Sequence, residues 1–286
     1  MRLAFFGGSF DPPHLGHEAI IKETLSSFKI DKLIIMPTWL SPFKKSFCAP
    51  ANLRYEWVKK AWESEKVTVS SFEIDSKRAV PTIESIEHIK LIYNPKKIYL
   101  ILGFDNFKSL KNWHRYEDLK KEVEFVIASR EGEEAKGLKN LNINVSISSS
   151  KLRSRMDSSF LPTAVRHQVF KYYQTRIEME KRVESIVSLL DSKKAENIQV
   201  FNMEDKDYFV SQVIIASTLG ERHGLTLLDE LKDRLKPLGE EFLHIDPASE
   251  WVVVDLGDIL IHLMTPEYRA KYNIEEFLAD FEKARA

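Results

Sequence analysis

Apolar residues along this chain follow two rhythms. Short unbroken runs, Leu3-Ala4-Phe5-Phe6, Leu33-Ile34-Ile35-Met36 and Ile98-Tyr99-Leu100-Ile101-Leu102, are the pattern of strands buried on both faces. Stretches at helical spacing separate them: residues 17–28 with Ile20, Ile21 and Leu25, residues 52–62, and residues 82–93 with Ile83, Ile86 and Ile89. Further strands are expected over 67–74, 123–128 and 143–147. This alternation predicts an α/β fold with a doubly wound, mostly parallel sheet covered on both faces.

The pattern changes after residue 163. No glycine or proline occurs from 163 to 190, and Ile177, Val183, Ile186, Val187 and Leu190 form a helical stripe. Strands are then expected over 198–202 and 208–217, a helix over 225–235, two strands over 250–264 turning at Gly257, and a closing helix over 268–281. That is a smaller α/β mixed-sheet domain. The expected division is residues 1–175 and 176–286.

Charge supports the division. The net charge of −1 hides 28 Lys and Arg against 20 Asp and Glu in residues 1–174, a net of +8, and a net of −9 in the remainder. A basic first half suits phosphate-bearing substrates, and an acidic second half suits a basic protein partner rather than nucleic acid. With 43% hydrophobic and 30% charged residues the composition is that of a folded globular chain. The single Cys48 excludes an internal disulfide and fits a reducing compartment. No leader is recognisable and no apolar run approaches the roughly 20 residues of a membrane span. A cytoplasmic protein without membrane contact is expected.

The candidate chemistry begins where the first strand ends. Gly7, Gly8, Ser9 and Phe10 form a turn before the first helix, where doubly wound folds place phosphates against unpaired N–H groups. His14 and His17, three apart at a helix start, can face one ligand, with Gly16 clearing space between them. Zinc would need further ligands that the spacing does not supply, so no metal site is expected. A second anchor follows the strand expected over 143–147: Ser148 and Ser150 at a helix start, with the planar fork of Arg153 one turn on. In the second half, Asp255, Asp258 and His262 read as turn carboxylates and a strand histidine.

Two resemblances add to this reading. The run Gly7-Gly8-Ser9-Phe10-Asp11-Pro12-Pro13-His14-Leu15-Gly16-His17, with Ile147, Ser148, Ser150, Leu152 and Arg153, resembles the H-x-G-H nucleotidyltransferases, and among them the bacterial nicotinate-mononucleotide adenylyltransferases. The resemblance implies adenylyl transfer from ATP, with Mg²⁺ arriving on the nucleotide, to nicotinate mononucleotide. It implies that His14, His17 and Arg153 are catalytic, and that Lys44 joins the glycine loop and Ser148–Ser150 in binding phosphate. It also implies that Thr82, Gly103, Asp105 and Trp113 bind the acceptor. Val80-Pro81-Thr82 lacks the family's tyrosine, and nicotinamide mononucleotide or phosphopantetheine stays open as the acceptor.

The run Trp251-Val252-Val253-Val254-Asp255-Leu256-Gly257-Asp258-Ile259-Leu260-Ile261-His262, with Arg269 and Tyr272, is similar to the ribosomal silencing factors. That similarity implies a module that docks on the large ribosomal subunit through a basic ribosomal protein of the intersubunit face and blocks subunit joining. Trp251, Asp255, Asp258, His262, Arg269 and Tyr272 are its candidate contacts. A purely ribosome-binding repressor with a degenerate nucleotide fold is the alternative, and a homo-oligomer stays open.

Overall fold

The computed structural model describes residues 1–41, 46–129, 135, 137–143, 145, 147–204, 206 and 208–283. The chain divides into two compact units, Met1–Ile177 and Glu178–Ala286.

In the first unit six strands form one sheet, every neighbouring pair parallel: β1 (Arg2–Gly8), β2 (Lys32–Pro37), β3 (Val67–Val69), β4 (Lys97–Gly103), β5 (Glu124–Ser129) and β6 (Lys139–Asn142), in the order β3-β2-β1-β4-β5-β6. The helices are α1 (Leu15–Ser27), α2 (Ala51–Trp62), α3 (Phe72–Asp75), α4 (Thr82–Tyr93), α5 (Phe104–Phe107), α6 (Tyr116–Glu122) and α7 (Ser149–Ser154). Alternate residues of each strand point to opposite faces. Ala4, Phe6, Leu33, Ile35 and Ile101 therefore pack with Ile21 of α1 and with Val58 and Trp62 of α2. Leu3, Phe5, Ile34, Met36 and Leu100 pack with Ile83, Ile86 and Ile89 of α4 and Leu119 of α6. The sheet is covered on both sides, as the unbroken apolar runs require.

Local departures have local causes. The strand expected over 67–74 stops at Val69, and α3 takes Phe72–Asp75, burying Glu73 and Ile74. The last strand is β6, a polar segment whose only buried residue is Leu141. Ile143 and Ile147, the ends of the strand expected there, are buried outside any strand.

The chain passes between the units within α8 (Arg166–Ser192). The second unit holds β7 (Glu196–Asn202), β8 (Gln212–Ser217), β9 (His244–Pro247), β10 (Trp251–Asp255) and β11 (Ile259–Met264), with order β7-β8-β11-β10-β9. Only β8 and β11 pair in parallel, so the sheet is mixed. One face packs on Ile186 and Leu190 of α8 and on Leu227, Leu228 and Leu231 of α9 (Glu221–Leu235). The other carries a smaller cluster with Leu278. The closing helix expected over 268–281 is two, α10 (Pro266–Tyr272) and α11 (Ile274–Lys283), because Asn273 caps the first in the left-handed conformation (φ 41°). Among the described residues no helix is long and apolar enough to cross a membrane.

Candidate active site

In the first sheet the chain moves outward from β1 in both directions, to β2 on one side and β4 on the other. Beyond the carboxyl ends of β1 and β4, doubly wound folds open a crevice. Here the crevice is a cavity of about 770 Å³, walled by Gly7–Ser9, His14, Gly16, His17, Gly103–Asp105 and Ser148–Ser150 among others.

The turn out of β1 is tightly built. Phe10 is 1% exposed and takes the left-handed conformation (φ 49°), costly for a bulky side chain and typical of functional loops. Its ring lies where Gly8 has no side chain: a Cβ there would sit 3.2 Å from it. The ring also supports His17, centroids 4.9 Å apart, and Trp62, 6.2 Å from His17 and 5.8 Å from Phe10, completes the aromatic cluster.

The two histidines cap α1 reciprocally. His14 is the cap residue, and its Nδ1 accepts from the His17 backbone N–H at 3.3 Å; the Nδ1 of His17 accepts from the His14 N–H at 3.2 Å. The rings stack at 3.6 Å and 20°. A nitrogen that accepts carries no proton, so both neutral rings hold theirs on Nε2. Burial, with a smaller contribution from the adjacent His14, holds His17 well below its ordinary range, so it is neutral at pH 7. Gly16 is required: a Cβ there would lie 2.9 Å from His14 Nδ1.

At the second anchor Ser148 caps α7, its hydroxyl accepting from the Lys151 N–H at 3.2 Å. Ser149 donates to the Pro12 carbonyl at 3.0 Å. Arg153 does not line the cavity itself: one arm of its fork donates to Ser150 Oγ at 3.1 Å and the other to the Asp11 carbonyl. Thr82, Asp105 and Trp113 line the same cavity as Gly103. Lys44 lies outside the described residues.

Three buried polar residues that motif reading did not single out hold this wall. Asp11 accepts from the Cys48 and Ala49 N–H groups, both at 3.0 Å, and from the Tyr173 hydroxyl at 2.5 Å. Arg54, fully buried, donates to the carbonyls of Ser9 (2.6 Å), Ala49 (2.9 Å) and Trp39 (3.1 Å). Glu73, 4% exposed, lines the cavity and accepts from Ser85 Oγ at 2.7 Å; burial pushes its carboxyl up to about 7. Asp11 belongs to the opening motif. Arg54 and Glu73 lie within the helix expected over 52–62 and the strand expected over 67–74, with no motif to mark them.

In the second unit Trp251, His262 and Tyr272 cluster: Trp251 Nε1 donates to His262 Nδ1 at 3.1 Å, and the Trp251 and Tyr272 rings are 5.1 Å apart. Burial lowers His262 to about 4. Asp255 accepts from the Gly257 N–H at 2.7 Å, closing the β10–β11 turn. Asp258 pairs with both arms of Arg182, which also grips Glu240. Arg269 is turned inward, donating to the Asn197 carbonyl (2.7 Å), Ser217 Oγ (2.9 Å) and Glu275 (2.5 Å). Of the six expected contact residues Tyr272 is the most open, at 48%.

A switch-point cavity lined by two imidazoles and by aromatic side chains fits the class of nucleotidyltransferases. The comparisons agree. The family described as "Cytidylyltransferase-like" matches residues 5–155, and "Ribosomal silencing factor during starvation" matches residues 176–285. A protein of Campylobacter fetus subsp. fetus named "Probable nicotinate-nucleotide adenylyltransferase" is 49% identical over 178 residues, 62% of this chain and 98% of its own length. One of the same name from Sulfurimonas denitrificans is 46% identical over 60% of this chain and 94% of its own. A solved Plasmodium falciparum nicotinic acid mononucleotide adenylyltransferase complexed with NaAD aligns with 60% of this chain and 97% of its own at 20% identity and a TM-score of 0.49. The chain belongs to the cytidylyltransferase-like family, with a ribosomal silencing factor module fused behind the enzyme module.

Proposed function

We propose that the first module transfers the adenylyl group of MgATP to nicotinate mononucleotide. A phosphate oxygen of the acceptor attacks the α-phosphorus and bonds to it; the bond from that phosphorus to the bridging oxygen breaks, and pyrophosphate leaves with the electron pair. The nucleophile is already an anion, so positioning and charge stabilisation supply the rate rather than a general base. The observation that carries this reading is the reciprocal histidine cap. It fixes both tautomers so that Nε2–H groups of neutral imidazoles can donate to phosphate oxygens, as His14 and His17 are proposed to do. Gly7, Gly8, Ser9 and Phe10 let the nucleotide approach the backbone, and Ser148, Ser150, Lys44 and Arg153 hold its outer phosphates. Asp105, beside Gly103, takes hydrogen bonds from the nucleotide part of a substrate, Trp113 stacks on the pyridine, and Thr82 lies by its substituent. The divalent ion enters as part of the MgATP substrate, held largely by phosphate oxygens and water.

Pyrophosphate release from MgATP and nicotinate mononucleotide tests this. His17→Ala is expected to lower kcat by roughly 10²–10³, as loss of one transition-state donor does; parent activity surviving in the variant would refute the role.

We further propose that residues 176–286 dock on the large ribosomal subunit, facing a basic ribosomal protein and blocking subunit joining. The family match and the net charge of −9 support this. Co-sedimentation of the intact chain with purified large subunits tests it, and a chain that stays in the supernatant at low salt would refute it. Repeating the assay with MgATP present asks whether the two activities are coupled.

A further inference from the structure

Glu73 is the one buried carboxylate on the cavity wall that the proposed chemistry leaves unused. It lines the same cavity as Val80, Pro81, Thr82, Leu102, Phe104 and Trp113, side chains mostly apolar and suited to a heteroaromatic ring. Among the described residues only its Oε1 is engaged, by Ser85 of α4. A buried carboxyl beside a ring site is a hydrogen-bond partner whose sense depends on its proton. Neutral, it donates to a carboxylate substituent; ionised, it repels that carboxylate and accepts from an amide NH₂.

We propose that Glu73 is the specificity-determining residue of the acceptor site, its carboxyl bonding the ring substituent of the mononucleotide and setting the preference between acid and amide. The inference rests on the reading that the site takes a pyridine mononucleotide. With Glu73 held near 7, the preference changes within the working pH range. The charged groups around Glu73 are otherwise committed. On α4, Glu84 pairs with Arg78 (2.5 Å) and His88 stacks on Phe72 (3.8 Å). On α3, Asp75 accepts from Ser71 (2.7 Å). From α2, Arg54 is tied to its three carbonyls; β2 carries only Lys32, at its first position. The cavity itself adds His14, His17, Asp105 and His114, all of which the Glu73→Gln variant keeps, so that variant separates their effect from that of Glu73.

The test is the ratio of kcat/KM for nicotinate mononucleotide over nicotinamide mononucleotide, measured on the full chain with MgATP at pH 6, 7 and 8. A group near 7 passes from about nine-tenths neutral to about one-tenth across that range. The ratio is therefore expected to fall by about tenfold if only the acid senses the proton and by up to about a hundredfold if the amide also needs the ionised form. In Glu73→Gln the ratio is expected to be flat. In Ser85→Ala, which removes the donor that favours the ionised form, the midpoint of the change is expected to move to higher pH. A ratio flat in the parent, or a Glu73→Gln variant that slows both acceptors equally and keeps the parent's pH dependence, would overturn the proposal while the adenylyltransferase reading stands. No turnover of either mononucleotide would overturn that reading and this inference with it.

Discussion

Replacing Arg54 by methionine probes how the phosphate loop is held. The substitution keeps a long, flexible side chain in a fully buried position but removes every donor. Three carbonyl oxygens, of Ser9, Trp39 and Ala49, then lose their partner. An orphaned buried acceptor costs about 1–3 kcal/mol. Ala49 is buried and takes the full cost, while Ser9 and Trp39 are half-buried and recover part of theirs from water. The stacking of the guanidinium over Phe47, 4.4 Å from its centroid, is lost too. The sum is about 4 kcal/mol. For a unit of this size 1 kcal/mol moves Tm by about 2–4 °C, so calorimetry is expected to show the first unit melting about 10 °C lower. Arg54→Lys retains the charge but only a point donor, and is expected to recover less than half of the loss. A shift below about 3 °C for the methionine variant would refute the view that this side chain ties the loops together.

Other expectations follow from the same geometry. Gly16→Ala drives a methyl to 2.9 Å from His14 Nδ1 and 3.2 Å from the Ile147 side chain, so the cap must open. Single-turnover rates are expected to fall about 10–100-fold while stability changes by about 1 kcal/mol or less, and an unchanged rate would count against the cap as the aligning device. His262, held at about 4 against an ordinary 6.5, takes up its proton more readily in the unfolded chain. Its contribution is intact above pH 6.5 and is lost as pH falls towards 4, about 3 kcal/mol in all. Denaturant unfolding of the parent and of His262→Asn, which keeps an acceptor for Trp251, is expected to diverge over that window; parallel curves would contradict it.

Where one element's own residues decide its conformation, the sequence was a good guide. The buried strands β1, β2 and β4 are apolar after their first residue and stop at glycine or proline, so the glycine turn and the histidine pair could be placed between strand and helix. The edge strands β6 and β9 escaped notice because an edge needs little apolar content, and α3 because its two buried residues suit a strand equally well. His14 reads as a residue before the helix, since imidazole is not among the usual capping side chains; its role depends on the partner three residues on. Arg54 and Glu73 could not be found this way. A charge at an inward position is indistinguishable in sequence from one at an outward position until three separate loops, or one serine of another helix, supply its partners.

The strand orders set when each unit can be completed during synthesis. In the first sheet the central strand is the first one translated, and its neighbours β2 and β4 are finished by residue 103. In the second the central strand is β11, the last one translated, and β8 and β10 have no path of pairing to each other without it. Domains form as units as the chain emerges, so the nucleotidyltransferase sheet can close while the ribosomal module is still two disconnected pieces. A nonsense codon between residues 200 and 258 would thus spare the enzyme and abolish the silencing module, leaving exposed apolar strand surface as a mark for degradation.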